Sequence, residues 1–206
     1  MTNGNDRSGT TAGRGGSGRR TSFAERRQRN AEIDDPAVVL EAAARFLEPR
    51  ARSVVEVRRR LTGAGYQVEL VESAIARMLE LGMLDDEAFA RAWIESRDRA
   101  RPRGERAIRQ ELGLKGVDRA TVDLVLSERR EAVAGMQSED GATLSPDQAA
   151  AEHLLLRNAR SLARVADPRQ RRQRAYALLA RHGFDPEICR TVAARVDEAG
   201  DPTGED

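Results

Sequence analysis

A run of arginines in the middle of the chain offers the clearest chemistry. Between residues 97 and 109 it contains six arginines and two acidic residues, a net charge of +4. A guanidinium group presents a planar fork of donors that pairs with a phosphate or a carboxylate. The run therefore predicts a surface that binds an anionic partner, and the alternative is a solvated helix end with local ion pairs. The six are Arg97, Arg99, Arg101, Arg103, Arg106 and Arg109.

Three more basic residues extend this candidate surface. Arg58 and Arg59 occupy an analogous place earlier in the chain, and Lys115, the only lysine, follows the run. We treat these nine residues as candidates for binding a partner. Their alternative role is to be exposed positions on helices. The net charge of the whole chain is only +1, from 35 basic and 34 acidic residues, so it does not point to a class of partner.

The sequence offers no catalytic constellation. Cys189 is the only cysteine, and the two histidines, His153 and His182, stand apart from any nucleophile or orienting acid. Neither a cysteine zinc cluster nor an intrachain disulfide is therefore expected. We predict a protein that is not an enzyme and carries no metal or other cofactor. Because no apolar stretch approaches the length of a membrane span or signal core, we expect a cytoplasmic protein without membrane contact.

The elements that position the basic residues are predicted to be helices. Apolar residues recur every three or four positions, as they do from residue 151 to residue 165. Aromatic residues make up only 3% of the chain, which disfavours an extensive β-sheet. Four prolines directly follow Asp35, Ser145, Asp167 and Asp185, as at the first position of a capped helix. The chain is therefore predicted to be all-α.

An internal repeat divides these helices into units. In three places a helical pattern reaches a leucine and a glycine follows four residues later: Leu61 and Gly65, Leu112 and Gly116, Leu179 and Gly183. A glycine at this place is typical of a helix end that needs a positive φ. The repeat predicts three tandem units of three helices. We assign them to residues 35–83, 84–133 and 145–198.

The remaining segments differ from the units in composition. Residues 1–34 are rich in Gly, Ser, Thr and Arg, which predicts a disordered basic arm, since they hold too little apolar surface to fold. Residues 134–144 form a polar linker between the second and third units. Residues 199–206 are predicted to be a disordered acidic tail.

The second unit opens with Leu84-Asp-Asp-Glu-Ala-Phe-Ala-Arg91, in which two acids precede a Phe-Ala pair. This stretch resembles the first motif of the RecX family. Residues 103–117 are similar to the second, in which Gly and basic residues precede Ile, Glu-Leu and Lys-Gly. One of the paired acids is expected to cap a helix, and the apolar residues to face the core. The residues expected to be structural are Asp85, Asp86, Phe89, Ile108, Leu112 and Gly116.

The resemblance, which spans residues 35–198, implies a fold and a partner. It implies an elongated, right-handed helical array that binds the RecA recombinase and its filament on single-stranded DNA. Inhibition of RecA's ATPase, recombinase and coprotease activities would then regulate DNA repair, homologous recombination and the SOS response. We expect a monomer that can also contact the DNA backbone. The alternatives are an autonomous helical nucleic-acid-binding module acting without RecA, and a helical-repeat scaffold for another protein.

Overall fold

The computed structural model describes residues 22–134 and 145–196, and every regular element within those ranges is a helix. This confirms the predicted all-α class. None of these helices is both long enough and apolar enough to cross a bilayer. The predicted linker from residue 135, the predicted acidic tail and residues 1–21 lie outside the described ranges. The helices are α1 (Phe23–Ala31), α2 (Pro36–Leu47), α3 (Val54–Ala64), α4 (Val68–Glu80), α5 (Asp86–Ala100), α6 (Glu105–Lys115), α7 (Arg119–Ala134), α8 (Pro146–Ala163), α9 (Pro168–Arg181) and α10 (Pro186–Ala194).

Proline-led starts define four of the helices. Helices α2, α8, α9 and α10 each begin with proline, directly after Asp35, Ser145, Asp167 and Asp185. In all four, the side chain of the preceding residue accepts a hydrogen bond from a backbone N–H of the first turn. Such a cap satisfies one of the donors that a helix start leaves without a partner. These starts confirm the capping pattern predicted from the sequence.

The helices form three triplets, each around its own core. We call α2–α4, α5–α7 and α8–α10 units 1, 2 and 3; the residue ranges given above for the units stay predictions. Leu61 is buried in unit 1, Phe89, Ile108 and Leu112 in unit 2, and Leu179 in unit 3. Burying one such side chain contributes about 2–3 kcal/mol. The predicted core role of the three apolar motif residues is confirmed.

The segment before unit 1 corrects one prediction. Residues 1–34 were expected to be a disordered arm, yet Phe23–Ala31 form helix α1. Ser22 and Glu25 close a capping box at its start. The helix has no buried side chain, so the sequence offers no apolar pattern from which to predict it. Its contacts with unit 1 are polar and are described below.

Candidate partner interface

A repeated junction sets the position of each unit on the one before it. At the unit 1–unit 2 junction, the Ser53 hydroxyl donates to the carbonyl of Lys115 at 2.5 Å. At the unit 2–unit 3 junction, the Gly104 N–H donates to the carbonyl of His182 at 3.0 Å. Ser53 and Gly104 are the N-caps of α3 and α6, and the two carbonyls belong to the residues before Gly116 and Gly183. The second helix of each later unit thus ends on the start of the second helix of the unit before.

An acidic side chain completes each junction. The Asp86 carboxylate accepts from the Val54 N–H at 2.9 Å, and the Asp147 carboxylate accepts from the Glu105 N–H at 2.8 Å. Each acid lies on the first helix of the later unit and caps the second helix of the earlier one. Burial raises the pKa of Asp86, although the hydrogen bond from Val54 opposes that rise. Burial likewise raises the pKa of Asp147.

The two acids of the family motif therefore cap different helices. The Asp85 carboxylate accepts from the Ala88 N–H at 2.9 Å and so caps its own helix, α5. Asp86 instead reaches back to α3 of unit 1. The sequence predicted that one of the pair caps α5, and Asp85 confirms this. No pattern in the sequence predicts that the other acid joins two units.

A buried arginine strengthens the second junction. Arg129 on α7, whose side chain is only 8% exposed, makes two hydrogen bonds to Asp98 and one of 2.6 Å to Asp147. Asp98 belongs to unit 2 and Asp147 to unit 3, so the arginine bridges them. Burial works against the charge of Arg129, but the two carboxylates raise its pKa. A buried arginine whose guanidinium donates to two carboxylates fixes the orientation of the helices that carry them.

Helix α1 makes the same kind of junction at the start of the array. The Asn30 side-chain amide donates to the carbonyl of Ala64 at 2.8 Å, one residue before Gly65. Gly65 has a φ of 101°, and a Cβ there would lie 2.5 Å from the carbonyl oxygen of Arg27. Ala64 corresponds to Lys115 and His182 in the repeat. Helix α1 therefore stands where a preceding unit would stand.

Two of the candidate basic residues are held beside Trp93, next to the first junction. The Trp93 indole N–H donates to Glu111 at 2.8 Å, and Arg97 pairs with the same carboxylate at 2.6 Å. The guanidinium of Arg97 lies 4.4 Å from the centre of the Trp93 ring, and the Lys115 ammonium lies 5.2 Å from it. Lys115 also pairs with Glu56 at 2.7 Å. Burial tends to raise the pKa of Glu56, but the hydrogen bonds from Lys115 and the Ser53 N–H, together with the nearby positive charges, lower it below its usual value.

Four other candidate arginines are also paired within the chain. Their partners are carboxylates of the same or the neighbouring helix, and most of the pairs are partly exposed. An exposed ion pair contributes only about 0–1 kcal/mol, so a partner's anion can replace the carboxylate at little cost. The pairs are Arg58 with Glu72, Arg99 with Glu95, Arg103 with Glu111, and Arg109 with both Glu105 and Asp123.

The last three candidates remain exposed. Arg59, Arg101 and Arg106 have no ion pair or hydrogen-bonded carboxylate among residues 22–134 and 145–196. Arg101 ends α5 and Arg106 lies in the first turn of α6, so both flank the turn that joins these two helices. The predicted basic surface therefore divides into six paired residues and three that face solvent with their charge unneutralised.

A second basic surface was missed in the sequence. Residues 157–181 contain eight arginines and one acidic residue, a net charge of +7, which exceeds that of the run in unit 2. Helix α9 itself has five arginines and no acid. A charge count by segment identifies this surface, which lies outside the motifs of unit 2.

Two features of the described residues bear on metal binding and thiol chemistry. The described part of the chain holds no group of three or more His, Cys, Asp or Glu side chains that could bind a metal ion. Cys189 is fully buried, and its thiol lies 3.6 Å from the carbonyl of Phe184. Burial raises the pKa of this thiol, which keeps it protonated and unreactive.

Comparison with known families matches all three units. Residues 40–78 match the first three-helix domain of RecX, residues 85–126 the second, and residues 146–192 the third. The matched residues together make up more than half of the chain. They follow the order and spacing of the three helix triplets described above.

Individual relatives carry the same name. The chain is 32% identical to "Regulatory protein RecX" of Streptomyces coelicolor (strain ATCC BAA-471 / A3(2) / M145) over 66% of this chain and 65% of the relative. It is 38% identical to the protein of that name from Mycobacterium sp. (strain JLS) over 41% of this chain and 46% of the relative. It is 28% identical to that of Mycobacterium avium (strain 104) over 74% of this chain and 81% of the relative. The first two matches thus span between about half and two thirds of those relatives.

Solved structures share the fold. The crystal structure of RecX from Lactobacillus salivarius superimposes with a TM-score of 0.65 and 18% sequence identity, covering 80% of this chain and 98% of that one. A second crystal structure, of regulatory protein RecX, gives a TM-score of 0.60 and 17% identity, covering 84% of this chain and 73% of that one. At such low identity the likeness concerns the fold alone.

Proposed function

The chain belongs to the RecX family, and we propose that it binds the RecA recombinase and its filament on single-stranded DNA. Membership of this family of regulatory proteins supports a regulatory role. In the proposal, binding inhibits the ATPase, recombinase and coprotease activities of RecA. The protein would thereby regulate DNA repair, homologous recombination and the SOS response in the cytoplasm, acting as a monomer.

The observation that carries the proposal is the exposed charge of unit 2. Arg101 and Arg106 flank the turn between α5 and α6, and the family motif lies on these same two helices. Arg59 adds a third exposed guanidinium on α3 of unit 1. Such groups form bidentate hydrogen bonds with carboxylates of a protein partner or with phosphates. They favour an acidic surface on the recombinase filament as the partner.

The arginines that are paired within the chain can also bind the partner, by exchanging one carboxylate for another. Arg99 pairs with Glu95, and both side chains are mostly exposed. Arg58 and Glu72 form a similar exposed pair. Because pairs of this kind contribute little to stability, they can separate when the carboxylate of a partner approaches. The junction between units 1 and 2 holds these groups in a fixed relation on two consecutive units, as suits a partner that itself repeats.

The test is the DNA-dependent ATPase of RecA on single-stranded DNA, titrated with the full chain. Inhibition at substoichiometric amounts is expected if the protein caps a filament or propagates its disassembly. The variant Arg59→Gln, Arg101→Gln, Arg106→Gln should inhibit at least about tenfold less well, because three charge-assisted contacts are lost. The matched variant Arg45→Gln, Arg77→Gln, Arg119→Gln changes net charge equally and should inhibit normally. Unchanged ATPase at a several-fold excess of folded protein would refute the proposal.

A further inference from the structure

The outer end of unit 3 carries an exposed basic surface without neutralising acids. Five arginines on α8 and α9 and in the turn between them are exposed and make no ion pair with any residue in the described ranges. The only acid between residues 157 and 181 is Asp167, whose carboxylate already caps α9 by accepting from the Arg169 N–H. We define the outer basic surface by Arg160, Arg164, Arg169, Arg174 and Arg181.

The position of this surface in the array distinguishes it from the basic run of unit 2. In units 1 and 2 the start of the second helix is covered by the next unit, through Ser53 and Gly104. In unit 3 the corresponding start is that of α9, and no described residue of a further unit covers it. Arg169 lies in this uncovered first turn. A polar face is enough to keep an uncovered repeat soluble, and charges of a single sign are not needed for that purpose.

Helical spacing aligns the arginines in rows. Arg160 lies in the last turn of α8, and Arg164, four residues later, is the C-cap of that helix. Arg157, three residues before Arg160, completes the row. The Arg157 guanidinium donates to the carbonyl of Ala100, at the end of α5. On α9, Arg174 and Arg181 are two turns apart and share a face. The rows therefore start at the junction with unit 2 and run toward the turn between α8 and α9.

The chemistry of the surface fits a nucleic-acid backbone better than a protein. The exposed residues of α9 are proline, arginine, glutamine and alanine, and α9 has no exposed large apolar side chain. On α8 the exposed large apolar side chain is Leu156. A protein interface normally has an apolar centre, whereas contacts to a phosphate backbone come from arginine, lysine and polar side chains. Multiple arginines that replace condensed counterions provide binding that is independent of base sequence.

We propose that the outer basic surface of unit 3 binds the phosphodiester backbone of a nucleic acid directly. This inference goes beyond the proposed regulation of RecA and does not depend on it. Binding needs no partner protein and reads no base sequence. It weakens steeply as salt increases, because each phosphate contact releases a counterion.

The test is fluorescence anisotropy of a labelled single-stranded oligonucleotide, titrated with the full chain at several salt concentrations and without RecA. The variant Arg160→Gln, Arg164→Gln, Arg169→Gln, Arg174→Gln keeps good helix formers and should bind at least about tenfold more weakly. Its slope of log affinity against log salt should fall by up to about three, from about 0.7 per lost phosphate contact. A duplex and two oligonucleotides of unrelated sequence should show the same loss.

The matched control changes net charge by the same amount elsewhere. Arg45→Gln, Arg77→Gln, Arg91→Gln, Arg119→Gln removes four arginines that pair with carboxylates on units 1 and 2, and it should bind as the natural chain does. Equal weakening in both variants, an unchanged salt slope, or no binding of any nucleic acid by the natural chain would overturn the proposal. The proposal would also be overturned if these arginines bound an acidic protein while the chain bound no DNA. Circular dichroism melting checks that both variants fold.

Discussion

The Asp86 carboxylate accepts a hydrogen bond from the Val54 N–H at 2.9 Å, across the boundary between units 1 and 2. Asp147 and Glu105 repeat the relationship at the next boundary, at 2.8 Å. In both cases the first helix of a unit supplies the acid that caps the second helix of the unit before. Units with separate cores are thereby joined by hydrogen bonds between a side chain and the backbone, which fix orientation more strictly than apolar contact does.

Asp86→Ala should destabilise the first junction. Without the carboxylate the Val54 N–H, part-buried at the junction, has lost its partner, at a cost of about 1–2 kcal/mol. Amide hydrogen exchange at Val54 should accelerate. Asp85→Ala is the control, because it removes the cap of α5 and should accelerate exchange at Ala88 instead. Slow exchange at Val54 in the Asp86→Ala chain would show that the contact contributes nothing.

Asp86→Asn should remove a pH dependence while keeping the acceptor. Burial raises the pKa of Asp86, so the folded chain binds the proton more tightly than the unfolded chain does. The carboxyl therefore contributes stability below its unfolded pKa, and this contribution is lost as pH rises through the folded value. The asparagine chain should equal or exceed the natural chain in stability at pH 7, and the difference should shrink on acidification. Urea unfolding at several pH values measures this, and a difference that grows on acidification would contradict it.

Gly116→Ala should cost more than the same change at Gly82. Both glycines have a positive φ, of 82° and 65°, so each substitution should cost about 1 kcal/mol in backbone strain. At Gly116 the new methyl would also lie 2.4 Å from the Cβ of Val55, whereas Gly82 faces open space. Overpacking adds about 1–3 kcal/mol. Denaturant unfolding should show this excess.

Val55→Ala should relieve part of the Gly116→Ala penalty. The shorter side chain takes away the Val55 branches that the new methyl at Gly116 meets. A double-mutant cycle should therefore give a coupling free energy of about 1 kcal/mol or more between the two sites. If the free-energy costs of the two substitutions simply add, the strain of Gly116→Ala lies in the backbone of residue 116 alone.

Arg129→Met should destabilise the second junction by about 3–5 kcal/mol, because it leaves Asp98 and Asp147 without their cation. Arg91→Met, which breaks only exposed pairs, should cost about 1 kcal/mol or less. Neutralising the whole group with Asp98→Asn, Arg129→Met and Asp147→Asn should recover part of the loss. Calorimetric unfolding compares the chains, and a triple variant less stable than Arg129→Met would contradict the charge argument.

Much of the fold could be predicted because it depends on local signals. Proline after a capping residue fixed the starts of four helices, and glycine after a leucine marked the ends of α3, α6 and α9. Apolar spacing identified the core residues Ile108 and Leu112. Helix α1 buries no side chain, so no apolar pattern predicts it, and it is held by hydrogen bonds with Ala64 and Gln67, more than 30 residues away.

The basic surfaces were harder to predict, since charge in a sequence does not reveal its neighbours. Glu111, on α6, neutralises both Arg97 and Arg103, and Asp123, on α7, neutralises Arg109. Only the packed helices bring these carboxylates close. The exposed arginines of unit 3 lie outside the motifs of unit 2, and only a count of charge by segment identifies them. The sequence thus located the basic residues of unit 2 but not which of them keep their charge exposed.

Deleting residues 1–31 should destabilise unit 1, because α1 occupies the place of a preceding unit. The deletion removes the Asn30 hydrogen bond to Ala64 and the contact of Gln67 with the Ala31 carbonyl, at a cost of about 1–2 kcal/mol. Hydrogen exchange at the end of α3 should accelerate, while that of unit 3 stays unchanged. Deleting residues 1–21 leaves α1 whole and should change hydrogen exchange neither at the end of α3 nor in unit 3. If amide exchange at the end of α3 is as slow after the longer deletion as after the shorter one, α1 contributes nothing to the stability of unit 1.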